Sequence, residues 1–328
     1  MPALAIVIPA YKPTFLRAAL DSIAAQADRR FRVYVGDDAG PPEVREICAA
    51  YSGDGLDLVY HRYEENLGGS SLTAHWNRCV RLSTEPWVWL FADDDVMEPE
   101  CVACFHRADA DGTHDLLRFD TTVIDARGQV LAENPPHPRL ESGVDFIHAR
   151  LLGERKSYVV EYAFRREAFD RVGGFPEYPV AWCADDAAWF LFSRGGRIRT
   201  LGGAKVLWRA SGLNITDAKR RHQREKLAAA SQFLRFVDEE VRPSDESART
   251  AGDWRDAAER WYLGQIRYLM PIGPGLWSDV LRGSAGIWHT SEVSKLATLS
   301  LGSAGAALRM LRTGATQRLG TALGPSNG

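Results

Sequence analysis

Residues 86–99 read PWVWLFADDDVMEP, an apolar run from Pro86 to Phe91 closed by three adjacent carboxylates, Asp93, Asp94 and Asp95. A short continuous apolar run bounded in this way suits a strand buried on both faces. Neighbouring like charges at a strand end raise one another's proton affinity unless a cation or a positively charged ligand lies between them. A divalent metal ion at the mouth of this strand is therefore the expectation.

Upstream the same unit repeats. Leu4 to Ile8 is an apolar run ended by Pro9, and Leu16, Leu20, Ile23 and Ala27 follow at helical spacing. Phe31 to Val35 leads to Gly36-Asp37-Asp38-Ala39-Gly40 and a helical pattern over Glu43 to Ala50. Leu56 to His61, the loop Asn66-Leu67-Gly68-Gly69-Ser70 and a helix from about Ser71 to Leu82 precede the strand that ends at Phe91. Apolar strands separated by helical crossovers form a parallel α/β sheet, whose ligands lie beyond the carboxyl ends of the strands. Those ends carry Pro9-Ala10-Tyr11, Asp37-Asp38 and Asp93-Asp94-Asp95, so the carboxylates converge on one rim. Farther along, strands are expected near 116–119, 121–125, 157–163 and 205–209, with a Pro-rich loop at 134–138 as a mobile cover. Cys183-Ala184-Asp185-Asp186 opens an amphipathic helix running through Arg194.

The 328 residues are 45% hydrophobic and 25% charged, the balance of a globular protein with one large core and a smaller annex. Net charge is -3, so no global basic field recommends nucleic acid as a partner. The N-terminal run is too short to span a bilayer and lacks the basic start of a signal peptide, and the five scattered cysteines suit a reducing compartment. Together these predict a cytoplasmic protein. Cys101 and Cys104 form a CxxC, but no second pair or nearby His completes a zinc site.

VIPAY, VGDDAG, NLGGS, FADDDVMEP, VGGFPEY and ADDAAW, in that order over residues 4 to 213, resemble the inverting glycosyltransferases of family 2 with the GT-A fold. The resemblance implies a Rossmann-like mixed sheet flanked by helices as a catalytic domain over 1–215, and the shift after it to a basic stretch and then an aromatic-rich helical pattern marks a helical region over 216–328. It implies a nucleotide-sugar donor, a UDP-sugar first and a dTDP-sugar next, and transfer to a glycan or lipid-linked glycan in bacterial surface polysaccharide synthesis. The alternative is a non-catalytic nucleotide-sugar or glycan-binding protein on the same fold.

Carried over residue by residue, the resemblance puts Pro9, Ala10 and Tyr11 against the nucleotide base, with Asp38 accepting from a base N–H. Asp94 becomes a ligand of Mn²⁺ or Mg²⁺, Asp93 its partner toward ribose or metal, and Asp95 a supporting carboxylate. Asn66 and Asn77 fall on the donor side, and Gly174, Phe175 and Trp182 on the acceptor side. Asp186 is expected as the general base, with Asp185 the other candidate of the pair. Two positions depart from the family pattern, Ala92 where an acid is more usual and Ser211 where many relatives carry a His.

After Glu292 no acidic residue occurs, while Lys295, Arg309, Arg312 and Arg318 stand among leucines. Such a cationic amphipathic segment suits peripheral contact with an anionic membrane, an acceptor, or a second subunit of an oligomer.

Overall fold

The computed structural model describes residues 3–51, 55–109, 114–216 and 221–273, with Leu276, Trp277 and Asp279 beyond them. The first half runs β1 (Leu4–Ala10), α1 (Leu16–Ala24), β2 (Phe31–Asp37), α2 (Pro42–Tyr51), β3 (Leu58–Arg62), α3 (Leu72–Val80), β4 (Trp87–Leu90), β5 (Val96–Met97) and α4 (Cys101–Asp109). Then come β6 (Leu116–Ile124), β7 (Val130–Glu133), β8 (Leu140–Glu141), α5 (Gly143–Leu152), β9 (Tyr162–Arg165), α6 (Arg166–Val172), α7 (Ala184–Phe192) and β10 (Ile198–Arg209). Two helices, α8 (Gln223–Phe236) and α9 (Ala251–Leu269), follow.

The described residues form one ten-stranded mixed sheet in the order β3-β2-β1-β4-β9-β6-β10-β5, with β7 on β6 and β8 on β10. β1 pairs parallel with both β2 and β4, which brings the loops after these strands to one rim. The apolar runs of β1, β2 and β4 are continuous because these strands are buried on both faces, whereas β3 lies at the sheet edge and is largely exposed. Leu4, Ile6 and Ile8 of β1 join Trp87 and Trp89 of β4 in one core. Ala5 and Val7 join Val88 and Leu90 in the other.

Past residue 110 the outcome differs from the sequence expectation. β6 is one nine-residue strand, and β10 is twelve residues long with a register shift between Leu201 and Lys205. Residues Val159–Glu161 form a 3-10 turn ahead of β9 rather than the start of a strand. The Pro-rich loop is pinned: the His137 backbone N–H donates to Asp120 Oδ1 at 2.8 Å and its buried ring lies 3.2 Å from Glu161 Oε1.

The helices after residue 216 pack into the same core as α5 and α7, through Phe233, Trp254, Trp261 and Tyr262. Trp254 is 1% exposed, lies edge-on to His148 of α5, and donates its indole N–H to Asp245 Oδ2 at 2.8 Å. Trp254→Ala is expected to cost about 3–5 kcal/mol in urea unfolding, the range for deleting a large buried aromatic. A loss under about 1 kcal/mol would mean that α9 contributes little to this core. No helix among the described residues is long and apolar enough to cross a membrane. The cationic stretch Lys295 to Arg318 lies outside the described residues.

Candidate active site

Asp93 ties two loops of the rim together. Its Oδ2 accepts the backbone N–H groups of Tyr11 and Lys12, both at 3.0 Å, so the turn after β1 is held to the turn after β4. Pro9 and Ala10 close β1, the Ala10 carbonyl accepting the Asp38 N–H at 2.9 Å, and Tyr11 stands 46% exposed above them.

Burial raises the proton affinity of Asp93, against the pull of those two N–H groups and the Lys12 charge. Asp94 is pushed up to about 7, first by burial and then by the charge of Asp93, with Lys12 and Arg209 opposing. Asp95 is raised well above the carboxylate range by burial and by Asp94. Hard oxygen donors crowded until they resist ionisation are a set that a divalent cation relieves. Among the described residues no group of three or more His, Cys, Asp or Glu side chains is arranged to hold a metal ion. The arrangement fits a cation that takes one or two carboxylates and completes its shell with phosphate oxygens and water.

Asp95 is turned away from this cluster. It is 1% exposed, and its Oδ1 accepts the Arg209 N–H at 2.6 Å, fixing the end of β10. Arg209 completes the wall by donating to the carbonyls of Asp94 at 2.7 Å and Asp125 at 3.0 Å while its guanidinium covers Phe15. Sequence reading missed Arg209. The signal was a charge closing a long strand opposite the acidic run.

Asp38 is 2% exposed, and its oxygens accept the N–H groups of Leu67 at 2.9 Å and Gly68 at 2.8 Å and a bond from Arg78. A Cβ on Gly68 would stand 2.6 Å from Asp38 Oδ2, which explains the glycine of NLGGS. Asn66 closes the same loop by accepting the Gly69 N–H. Asn77 likewise serves the fold: its amide exchanges hydrogen bonds with the Phe175 backbone at 2.9 and 2.8 Å. Gly174, at φ 109°, lets that amide approach, since a Cβ there would lie 2.6 Å from Asn77 Oδ1.

Phe175 is 3% exposed and packed among Phe164, Trp189 and Phe192. The Trp182 ring stacks on Tyr268 at 5.8 Å, the Lys226 ammonium lies 4.8 Å away, and its N–H donates to Gln265 at 3.1 Å, so helices α8 and α9 hold it in place.

The acidic pair is delivered by strained backbone. Val180, Ala181 and Cys183 have φ of 50°, 56° and 67°, a region that L-residues rarely adopt and that collects at functional sites. α7 begins at once, with Asp185 and Asp186 in its first turn, where the helix dipole favours negative charge. Their environments differ. Asp186 is 2% exposed and held by Arg150 of α5 in a forked pair, Nε to Oδ1 at 2.9 Å and Nη2 to Oδ2 at 2.7 Å. Asp185 is half-buried and pushed up to about 7 by burial and by the Asp186 charge, with Arg150 opposing. Of the pair, Asp185 is the carboxylate outside the Arg150 fork and the one with a proton affinity near neutrality.

The model of glycosyl transferase family 2 matches residues 5–125, in line with the resemblance read from the sequence. Comparison with curated proteins finds no match. Among solved structures, S. aureus TarS 1-349 in complex with UDP-GlcNAc is similar at a TM-score of 0.55 and 15% identity, over 92% of both chains. The mannosyltransferase PcManGT from Pyrobaculum calidifontis, in complex with GDP-Man and Mn²⁺, matches at 0.53 and 18%, over 96% of this chain and 83% of its own. GalNAc-T7 with UDP, GalNAc and Mn²⁺ matches at 0.52 and 12%, over 82% of this chain and 57% of its own. These likenesses agree with the expected α/β fold of GT-A type.

Proposed function

With residues 5–125 matching glycosyl transferase family 2, we propose that this glycosyltransferase moves a sugar, with inversion, from a nucleotide-sugar donor to a hydroxyl of a glycan or lipid-linked glycan. One observation carries the reading: the carboxylate run after β4 is bonded to the turn after β1, on the rim where an α/β sheet binds its ligand. Donors in the TarS and PcManGT complexes, UDP-GlcNAc and GDP-Man, support a nucleotide-sugar, and a UDP-sugar is the first choice here with a dTDP-sugar next.

In this reading Tyr11 borders the base, and Asp94 with Asp93 would hold Mn²⁺ or Mg²⁺. When bound, the ion supplies neutralisation of the charge that builds on the departing diphosphate. Asp185 takes the proton of the acceptor hydroxyl as its oxygen bonds to the sugar C1, while the C1–O bond to the diphosphate breaks on the opposite face. Asp186, locked to Arg150, holds its neighbour's proton affinity up and so keeps the base near working pH. The acceptor belongs to bacterial surface polysaccharide synthesis, and the cationic residues Lys295 to Arg318 meet an anionic lipid surface or a second subunit.

The test is a screen of UDP-, dTDP- and GDP-sugars with Mn²⁺, following nucleoside diphosphate release. Release that requires both the ion and one donor class supports transfer. Nucleotide binding without turnover of any donor or acceptor would leave the binding-protein alternative, to which Ala92 and Ser211 point.

A further inference from the structure

Among the described residues Lys12 and Arg209 border the carboxylate run, and they are built differently. Arg209 is 4% exposed and committed to the carbonyls of Asp94 and Asp125 and to the face of Phe15. Lys12 is exposed, and its ammonium donates to the Leu213 carbonyl at 2.7 Å. Its stem starts at the acidic run, since its own N–H is one of the two that Asp93 accepts.

Leu213 lies in the segment that leaves β10 across the rim. From Ala210 to Thr216 that segment carries no charged side chain up to Ile215 and Thr216, and its own polar groups close on one another, Asn214 Oδ1 accepting the Ser211 N–H at 3.2 Å. A diphosphate seated against residues 210–216 would find no cation among those seven residues. A lysine ammonium is a compact charge on a flexible stem, able to exchange one acceptor for another.

We propose that Lys12 is a diphosphate-binding residue, its ammonium moving from the Leu213 carbonyl to a phosphate oxygen of the bound nucleotide. The assignment rests on the donor reading above and adds to it a protein cation beside the metal position. Its mark is discrimination: the contribution goes to the diphosphate and not to the nucleoside.

The experiment uses the full chain with Mn²⁺. Calorimetry with UDP, dTDP and GDP selects the nucleotide, and ligand-observed NMR follows the corresponding nucleoside. Lys12→Ala is expected to weaken the diphosphate by about tenfold or more, about 1.4 kcal/mol, to change nucleoside binding less than about twofold, and to be partly rescued in Lys12→Arg. Equal losses for nucleoside and diphosphate would reduce Lys12 to a tie for the 210–216 segment and overturn the proposal, as would no loss at all. If no diphosphate binds the wild-type chain, the donor reading itself falls and this assignment with it.

Discussion

Asp185→Asn is expected to lower kcat by about 10³-fold, with nucleotide binding unchanged, because it removes the group that accepts the acceptor's proton. The wild-type pH profile carries a second mark. A base must be deprotonated to work, and Asp185 is pushed up to about 7 by burial and by Asp186, so kcat/KM falls as pH drops through that value. Asp186→Asn behaves otherwise. Removing the neighbouring negative charge while Arg150 stays moves the acid limb to lower pH. Weakening the forked pair with Arg150 also lowers stability by about 1–3 kcal/mol, since Arg150 is partly exposed and keeps its bond to the Arg155 carbonyl. Transfer rates for both variants, set beside their melting temperatures, decide the roles: a catalytically normal Asp185→Asn would remove Asp185 as base.

The second large effect is expected at Asp94. Asp94→Asn should abolish the Mn²⁺-dependent part of the thermal shift produced by UDP and lower kcat by about 10²–10³-fold, a magnitude typical of removing charge stabilisation from a leaving group. The ligand-free protein should respond in the opposite sense. Asp94 takes up its proton more readily when folded than at its ordinary value of 3.8, with an affinity pushed up to about 7. Its ionisation therefore weakens the fold progressively as pH rises from about 4 through 7. Asparagine removes that weakness, so the variant should melt above wild type at pH 8 and close to it at pH 4. An Asp94→Asn protein that keeps its metal-dependent shift would contradict the ligand assignment.

The first four strands were legible because β1, β2 and β4 are apolar on both faces and a turn or helix signal closes each of the four, the edge strand β3 included. The order of the sheet beyond β4 was not. β9 inserts antiparallel between β4 and β6, and nothing in Tyr162-Ala163-Phe164-Arg165 distinguishes that partner from another. β10 hides its length behind Gly202 and Gly203, where the register slips. At the site, residue type and rim position were readable, whereas the division of labour within each acidic pair was not. Asp185 and Asp186 differ in burial and through Arg150, thirty-six positions away from Asp186, and Asp38 is set apart by the N–H groups of Leu67 and Gly68 and by Arg78, all distant in sequence. A charge inside an apolar run, as in Leu116-Leu117-Arg118-Phe119, signals an interior partner. Here that partner is Glu141, 3.0 Å from Arg118.

The bond from Asp93 to the main chain of Tyr11 and Lys12 has a thermodynamic corollary. A nucleoside that steadies the β1 turn also steadies the carboxylate, and an ion that steadies the carboxylate returns the favour by the same factor. Cation and nucleotide should accordingly bind with positive cooperativity in either order of addition, and Asp93→Ala should uncouple them.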